Sequence, residues 1–331
     1  MRAPGVTIAL LVAALPMVAW LAPQLAAAQP AGAKDYPVKP IRLISPFAPG
    51  GGNDFMARLI AHKLTEALKQ QVIVENRAGA GGALGIEVGV KSPADGYTLT
   101  VIGGSYSVNP NTYRLGFDPV LDIAPIVKLA QGPYVLVAHP SLPARTTKEL
   151  IALAKARPGA LNYASSGQGG LSHLATELFS MMAGIKLTHI PYKGTGPAVT
   201  DTIAGHTQLM LAIPAAGVPH VRSGRLRGIG VTTLGRFSAL PEVPAVDESG
   251  LKGYEVFNWH GLIAPKGVAR TIVDLLNTEA NKALKAKDME DKLAADGVSA
   301  AGGTPEQLAA AVKREIETWR SVAQKVGVKA E

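Results

Sequence analysis

An α/β fold of two lobes, each a mainly parallel sheet flanked by helices and joined by two hinge crossings, is predicted by three features of the 331-residue sequence. Short apolar runs alternate with stretches of helical period, and glycine-rich turns join them in the order strand, turn, helix. That order then occurs a second time with different residues. The length suits two lobes of ordinary size better than one core. With 47% hydrophobic and only 18% charged residues, the body has enough apolar surface to fold.

Residues 41–47 read as a buried strand. A glycine-rich turn follows, then a helix in which Phe55, Met56, Leu59, Ile60, Leu64 and Leu68 recur at helical spacing. Residues 71–75 form the next strand, 79–82 a glycine turn, 83–91 a helix, 92–96 a turn, and 97–102 a third strand ending at Gly103, Gly104 and Ser105. The second series has strands over 134–138, 161–164, 187–190, 209–213 and 226–232. Its helices cover 147–156, opened by Thr146 or Thr147, then 171–183 and 196–204. Residues 259–264 read as a strand returning elsewhere, before helices over 269–285, 287–295 and 305–326. Those last helices need a sheet to lie on, and the first lobe is short of covering helices. The chain is therefore expected to cross between lobes near 128–132 and again near 250–259, a two-strand hinge. Lobe 1 is then 35–130 plus 251–331, and lobe 2 is 131–250.

The first 28 residues have a different character. Arg2 is followed by an apolar run over residues 8–21 and by Ala26, Ala27 and Ala28, the signature of a secretory signal peptide. The apolar run approaches the length of a membrane span, but Pro16, Pro23 and the small residues favour cleavage. The expected product is a monomeric periplasmic protein. Cysteine is absent, which excludes disulfides, thiolate metal sites and cysteine nucleophiles. The net charge is +8, yet the densest basic group, Arg222, Arg225 and Arg227, has no interleaved aromatic residues and reads as a solvated face. Export and this scatter argue against nucleic acid; the sign suits a small anionic solute.

Two loops stand out as candidate binding elements, one per series, each following a strand and opening a helix. The first contains Phe47, Gly50, Gly51, Gly52, Asn53 and Asp54; the second contains Ser165, Ser166, Gly167, Gly170 and His173. Helix N-termini present unpaired N–H groups and a positive dipole end, and glycine lets the backbone approach a ligand. Facing each other across a cleft, such loops would grip an anion without metal, cofactor or catalyst. Ser105, Tyr192, Lys193 and Gly194 complete the candidate set, with Lys193 as a possible cleft cation. Asp54 reads either as a helix cap or as an acceptor for a hydroxyl, an ammonium or a bridging water. His173 and Glu177, four apart, have metal-binding spacing but no third ligand, and read as a structural pair. The P-loop ending, the full dinucleotide fingerprint, the G-x-S-x-G elbow and the H-E-x-x-H motif are all missing, so no enzyme class is indicated.

Phe47 to Asp54, Val74 to Gly82, Asp95 to Leu99, Tyr163 to Glu177, His189 to Gly194 and Asn258 to Leu262, in this order and spacing, resemble the Bug family, the periplasmic receptors of tripartite tricarboxylate transporters. The resemblance runs from about Tyr36 to the C-terminus. It implies a fold like type II periplasmic binding proteins and a small carboxylate ligand held by the two loops. It also implies membrane transporter subunits as partners. A ligand-sensing adaptor for a membrane histidine kinase and an exported hydrolase are the alternatives. Many members carry an acidic residue at the end of the strand over 209–213, where this chain has Ala212 and Ile213. That departure favours a plain carboxylate over an amino acid.

Overall fold

A computed structural model describes residues 36–327; the expected leader over 1–28 and residues 328–331 lie outside the described residues. The chain begins with β1 (Ile41–Ser45), α1 (Gly52–Leu68), β2 (Val72–Asn76), α2 (Ala83–Val90), β3 (Thr98–Gly103) and the short α3 (Ser105–Val108). Then β4 (Ile123–Pro133) leads into β5 (Val135–Ala138), α4 (Thr147–Ala156), β6 (Asn162–Ser165), α5 (Leu171–Ala183), β7 (Thr188–Pro191) and α6 (Thr195–Ile203). After β8 (Leu209–Ala212), α7 (Pro214–Arg222) and β9 (Arg227–Val231) come β10 (Phe257–Pro265), α8 (Arg270–Leu284), α9 (Lys287–Ala295), β11 (Ser299–Gly302) and α10 (Pro305–Val326).

Two sheets result, in the orders β11-β4-β10-β3-β1-β2 and β7-β6-β8-β5-β9, each flanked by helices to make a lobe. The sequence predicts mainly parallel sheets; both are mixed. Strands joined by a helical crossover return in the same direction, so β1 is parallel to β2 and β3, and β6 to β7 and β8. The strands that pass between sheets enter from the other side and run antiparallel: β10 against β3 and β4, and β5 against β8 and β9.

The passage between sheets is narrow. β4 leaves the first sheet at Pro133, and β5 joins the second at Val135. Beside it, Phe257 at the start of β10 pairs with Pro133. Thr232 ties both passages: its Oγ1 accepts the Tyr134 N–H at 2.8 Å and donates to the Val256 carbonyl at 2.6 Å.

Four elements were not legible in the sequence. β4 contains Pro125, Lys128, Gly132 and Pro133, and β11 (SAAG) has no β-branched residue. α7 holds Gly217 and Pro219 within nine residues, and α3 is a single turn. Local propensity is weak in each, and pairing with distant partners decides the outcome.

The C-terminal α10 is closed by a capping box in which Thr304 accepts the Gln307 N–H and Gln307 accepts the Thr304 N–H. Its Leu308, Val312 and Ile316 pack with Tyr106, Trp259 and Ile263 of the first lobe. One turn further, Trp319 and Ala323 enter the core of the second lobe with Phe179 and Tyr254. The helix braces both lobes. Between these contacts lies the half-buried Glu315 carboxylate, which accepts Trp259 Nε1–H at 2.5 Å and the Ser107 hydroxyl at 3.1 Å. Burial raises its pKa from the ordinary 4.5, and the bonds from Trp259 and Ser107 only partly offset that. A folded pKa above the unfolded one means that the folded state holds the proton longer, so Glu315 costs stability as pH rises past 4.5. Glu315→Gln keeps an acceptor and removes the charge. Thermal melts from pH 4 to 8 are expected to show this variant gaining on the wild type as pH rises; parallel curves would refute the assignment.

Candidate functional site

The first candidate loop links β1 to α1. Gly50 has φ 85°, a left-handed conformation that glycine adopts without strain. Its N–H donates to Asp54 Oδ2 at 3.0 Å, and the same carboxylate accepts Arg58 Nε–H at 3.0 Å and Asn76 Nδ2–H at 2.9 Å. Burial pushes the Asp54 pKa up, but the bonds from Arg58, Gly50 and Asn76 outweigh it and hold the carboxyl below its ordinary 3.8. Asp54 therefore fastens the loop. Asn76, which also donates to the Phe47 carbonyl at 3.0 Å, is its partner from the next strand.

The second loop links β6 to α5 and rests on a stack of rings. His189 lies between Tyr163 and His173, with the two imidazoles 3.9 Å apart and nearly parallel. Burial lowers the His173 pKa to about 4; burial and then His173 lower His189 to about 3, so both are neutral. His173 Nδ1 accepts the Gly169 N–H at 3.1 Å, and Ser165 Oγ lies 2.6 Å from His189 Nε2. Glu177 accepts the Tyr163 hydroxyl at 2.5 Å, so its expected pairing is with Tyr163 rather than His173. Among the described residues no group of three or more His, Asp or Glu could hold a metal.

The two loops meet. The Leu171 N–H, first in α5, donates to Ser105 Oγ of the other lobe at 3.1 Å, and Thr112 Oγ1 donates to the Gly169 carbonyl at 3.0 Å. Tyr113 donates its hydroxyl to the Gln168 carbonyl. Beneath these bonds is an inner cavity of about 30 Å³. Six expected residues line it: Phe47, Gly51, Gly52, Asn53, Ser105 and Ser166. Six others join them: Gly104, Tyr134, Thr195, Ile213, Asn258 and His260. Asn258 and His260 alternate with Trp259 along β10, so they share the cavity face while Trp259 turns to α10.

Beyond Phe47 and Ser166 opens an outer chamber of about 350 Å³, bounded by the loop Ala78 to Gly82, Tyr113, Gly167, Gln168, Pro191, Tyr192 and Lys193. Of the remaining expected residues, Gly50, Asp54, Ser165, Gly170, His173 and Gly194 line neither space. Gly170 and Gly194 are the N-caps of α5 and α6. Gly194, at φ 130°, lets that turn close on Ala48.

The inner cavity is lined by no charged side chain. Besides the single turn α3 at Ser105, three longer helices begin at its wall: α1 at Gly52, α6 at Thr195, and α7 just after Ile213. Their dipoles favour negative charge there. Two lining side chains carry buried atoms without partners, Asn53 Oδ1 and His260 Nδ1. Burial lowers the His260 pKa to about 4, so the ring is neutral. Ligand oxygens would accept from the hydroxyls, from main-chain N–H groups and from His260 in the tautomer that carries its proton on Nδ1, whereas Asn53 Oδ1 is an acceptor and needs a donor such as a bridging water.

Residues 56–328 match the profile of TctC, the tripartite tricarboxylate transporter family receptor. Protein BugT of Bordetella pertussis is 38% identical over 308 residues, 91% of this chain and 94% of BugT. The solved structure of R. palustris Rpa4515 with adipate superposes with a TM-score of 0.87 at 35% identity, covering 90% of this chain and all of the other. MatC from Rhodopseudomonas palustris with bound malate gives 0.82 at 30% identity, covering 87% and 99%.

Proposed function

The chain belongs to the tripartite tricarboxylate transporter receptor family, and from that premise we propose that it captures a small organic carboxylate between its lobes in the periplasm and presents it to membrane transporter subunits. The observation that carries this reading is the inner cavity itself. It is bounded by the N-termini of α1, α6 and α7 besides the single turn α3, lacks any charged side chain, and holds a buried ring nitrogen, His260 Nδ1, that has no protein partner. The adipate and malate in the related structures are both carboxylates. An α-ammonium group would need an acidic partner, and Ile213 stands on the wall where one is absent. A plain acid is the better fit.

Capture without chemistry also suits the second loop. Ser165 and His189 are close, but Ser165 is fully buried and lines neither the cavity nor the chamber. Binding on one loop and closure by the other is favoured by contacts made only in the closed form. A panel of organic acids tested by thermal denaturation is expected to give at least one rise of about 5 °C at hundredfold excess over its Kd, with the acid recovered unchanged. No shift from any acid, or turnover of the one bound, would refute the reading.

A further inference from the structure

An anion in the inner cavity meets no fixed countercharge. Its wall has no charged side chain, and the helices that begin there supply partial charges only. Moving a carboxylate from water into such a space is costly unless a positive group neutralises it. One lining residue can become positive: His260, which is 3% exposed. Its Nδ1 has no protein partner, and its Nε2 lies beneath Gly52, where a Cβ would come within 3.2 Å. Asn53 Oδ1, the other buried lining atom without a partner, stands 3.2 Å from where a Cβ of Gly103 would be. Gly103 is the β3 residue opposite His260 in the sheet, so the amide and the ring are neighbours.

We infer that His260 takes up a proton from solvent as the carboxylate enters, one ring N–H donating to the ligand and the other serving Asn53 Oδ1, so that the acid is captured together with its countercharge. The inference rests on the carboxylate reading of the inner cavity. In the empty site burial keeps the ring neutral, with its pKa lowered to about 4; an anion in contact stabilises the imidazolium and raises that value. Little else competes for the role. Tyr134, the other titratable lining group, is held neutral by burial. On α1, Asp54 is fastened by Gly50, Arg58 and Asn76. β4 sets Ala130 opposite His260 and turns Lys128 over the Trp259 ring. On that far face of β10, where α2 and α10 pack, Glu87 pairs with Lys91 and Glu315 takes the indole N–H. A bound pKa above the free one makes affinity fall as pH rises from about 4 towards the bound value, then level off.

Calorimetric titration of the purified protein with acetate, succinate, adipate and malate, in two cationic buffers of different ionisation enthalpy near neutral pH, counts the protons. An acid that binds is expected to bring in about half a proton or more, and its affinity to fall about tenfold between about pH 6 and pH 8. His260→Gln keeps a donor but cannot charge. It should bind at least about tenfold more weakly at the lower pH, with no proton uptake and a flat pH profile. Nitrogen NMR of protein labelled at its histidines gives a second reading. One imidazole should pass from neutral to doubly protonated on adding the acid, and its signal should be missing from His260→Gln. Binding by the wild type without proton uptake, uptake retained in His260→Gln, or no imidazole changing state overturns the inference while leaving carboxylate capture standing. If the variant binds no acid, the change of that one imidazole in the wild type upholds the inference and its absence overturns it. Failure of every acid to bind the wild type overturns both.

Discussion

Gly85→Ala is expected to lower the stability of the protein by about 3 kcal/mol, although the same exchange at an unconstrained helical position would raise it by about 1 kcal/mol. The sign reverses because of what a methyl group would meet. A Cβ on Gly85 would stand 2.3 Å from the Arg77 carbonyl oxygen and 2.8 Å from Pro46 Cα. Both are main-chain atoms and neither can rotate aside, so α2 must lift from the sheet. Gly89, one turn on, would drive its Cβ to 2.0 Å from the buried Thr100 Oγ1. The two glycines give α2 a flat face, and that face lets the helix lie directly on β3 at Thr100 and on the residues that follow β1 and β2. Pro46 leads straight into Phe47, so lifting α2 also displaces the loop that lines the proposed carboxylate site. Urea denaturation measures the loss. Gly235→Ala, which would meet nothing within 4 Å, is the control and should leave the midpoint unchanged. A wild-type midpoint for Gly85→Ala would mean that the helix packs less closely than the structure has it.

The sequence carried the strand–turn–helix units well because each declares itself locally: an apolar run, glycines, then apolar residues at helical spacing. The α6 N-terminus has this same signal, and Thr195, one residue beyond the candidates Lys193 and Gly194, lines the cavity. Asn258 and His260 could have been found from strand alternation, since residues two apart share a face. Which polar residues brace and which face the ligand was not legible. Asp54 is held by Asn76 and Ser165 contacts His189, partners 22 and 24 residues away, and no local pattern reveals them. The same holds for β4, whose prolines and glycine give no strand signal and which is expected only as a lobe crossing near 128–132. It is a strand because β10, more than a hundred residues later, pairs with it along its whole length. Non-local pairing overrode weak propensity there.

Ser105→Ala is expected to weaken carboxylate binding by about tenfold or more. The N-cap residue of α5 is Gly170, which has no side chain to accept the helix's first N–H groups. Ser105 does this in its place from the opposite lobe, taking the Leu171 N–H at 3.1 Å. The serine is thus a helix cap supplied across the cleft, and it can act only when the lobes are together. Its deletion leaves a buried N–H without a partner, at a cost of about 1–3 kcal/mol. That cost falls on the closed form alone, so it appears in affinity, while the melting temperature without ligand should change little. The hydroxyl also lines the inner cavity, and its own proton is free for a ligand oxygen once it has accepted from Leu171. Thr112→Val separates these two contributions. Thr112 bonds Gly169 across the cleft at 3.0 Å but does not line the cavity, so its loss should weaken binding through closure only, and by less. Equal losses for the two variants would assign Ser105 to closure alone. A Ser105→Ala protein that bound its acid as tightly as the wild type would show that the bond between the lobes contributes nothing to capture.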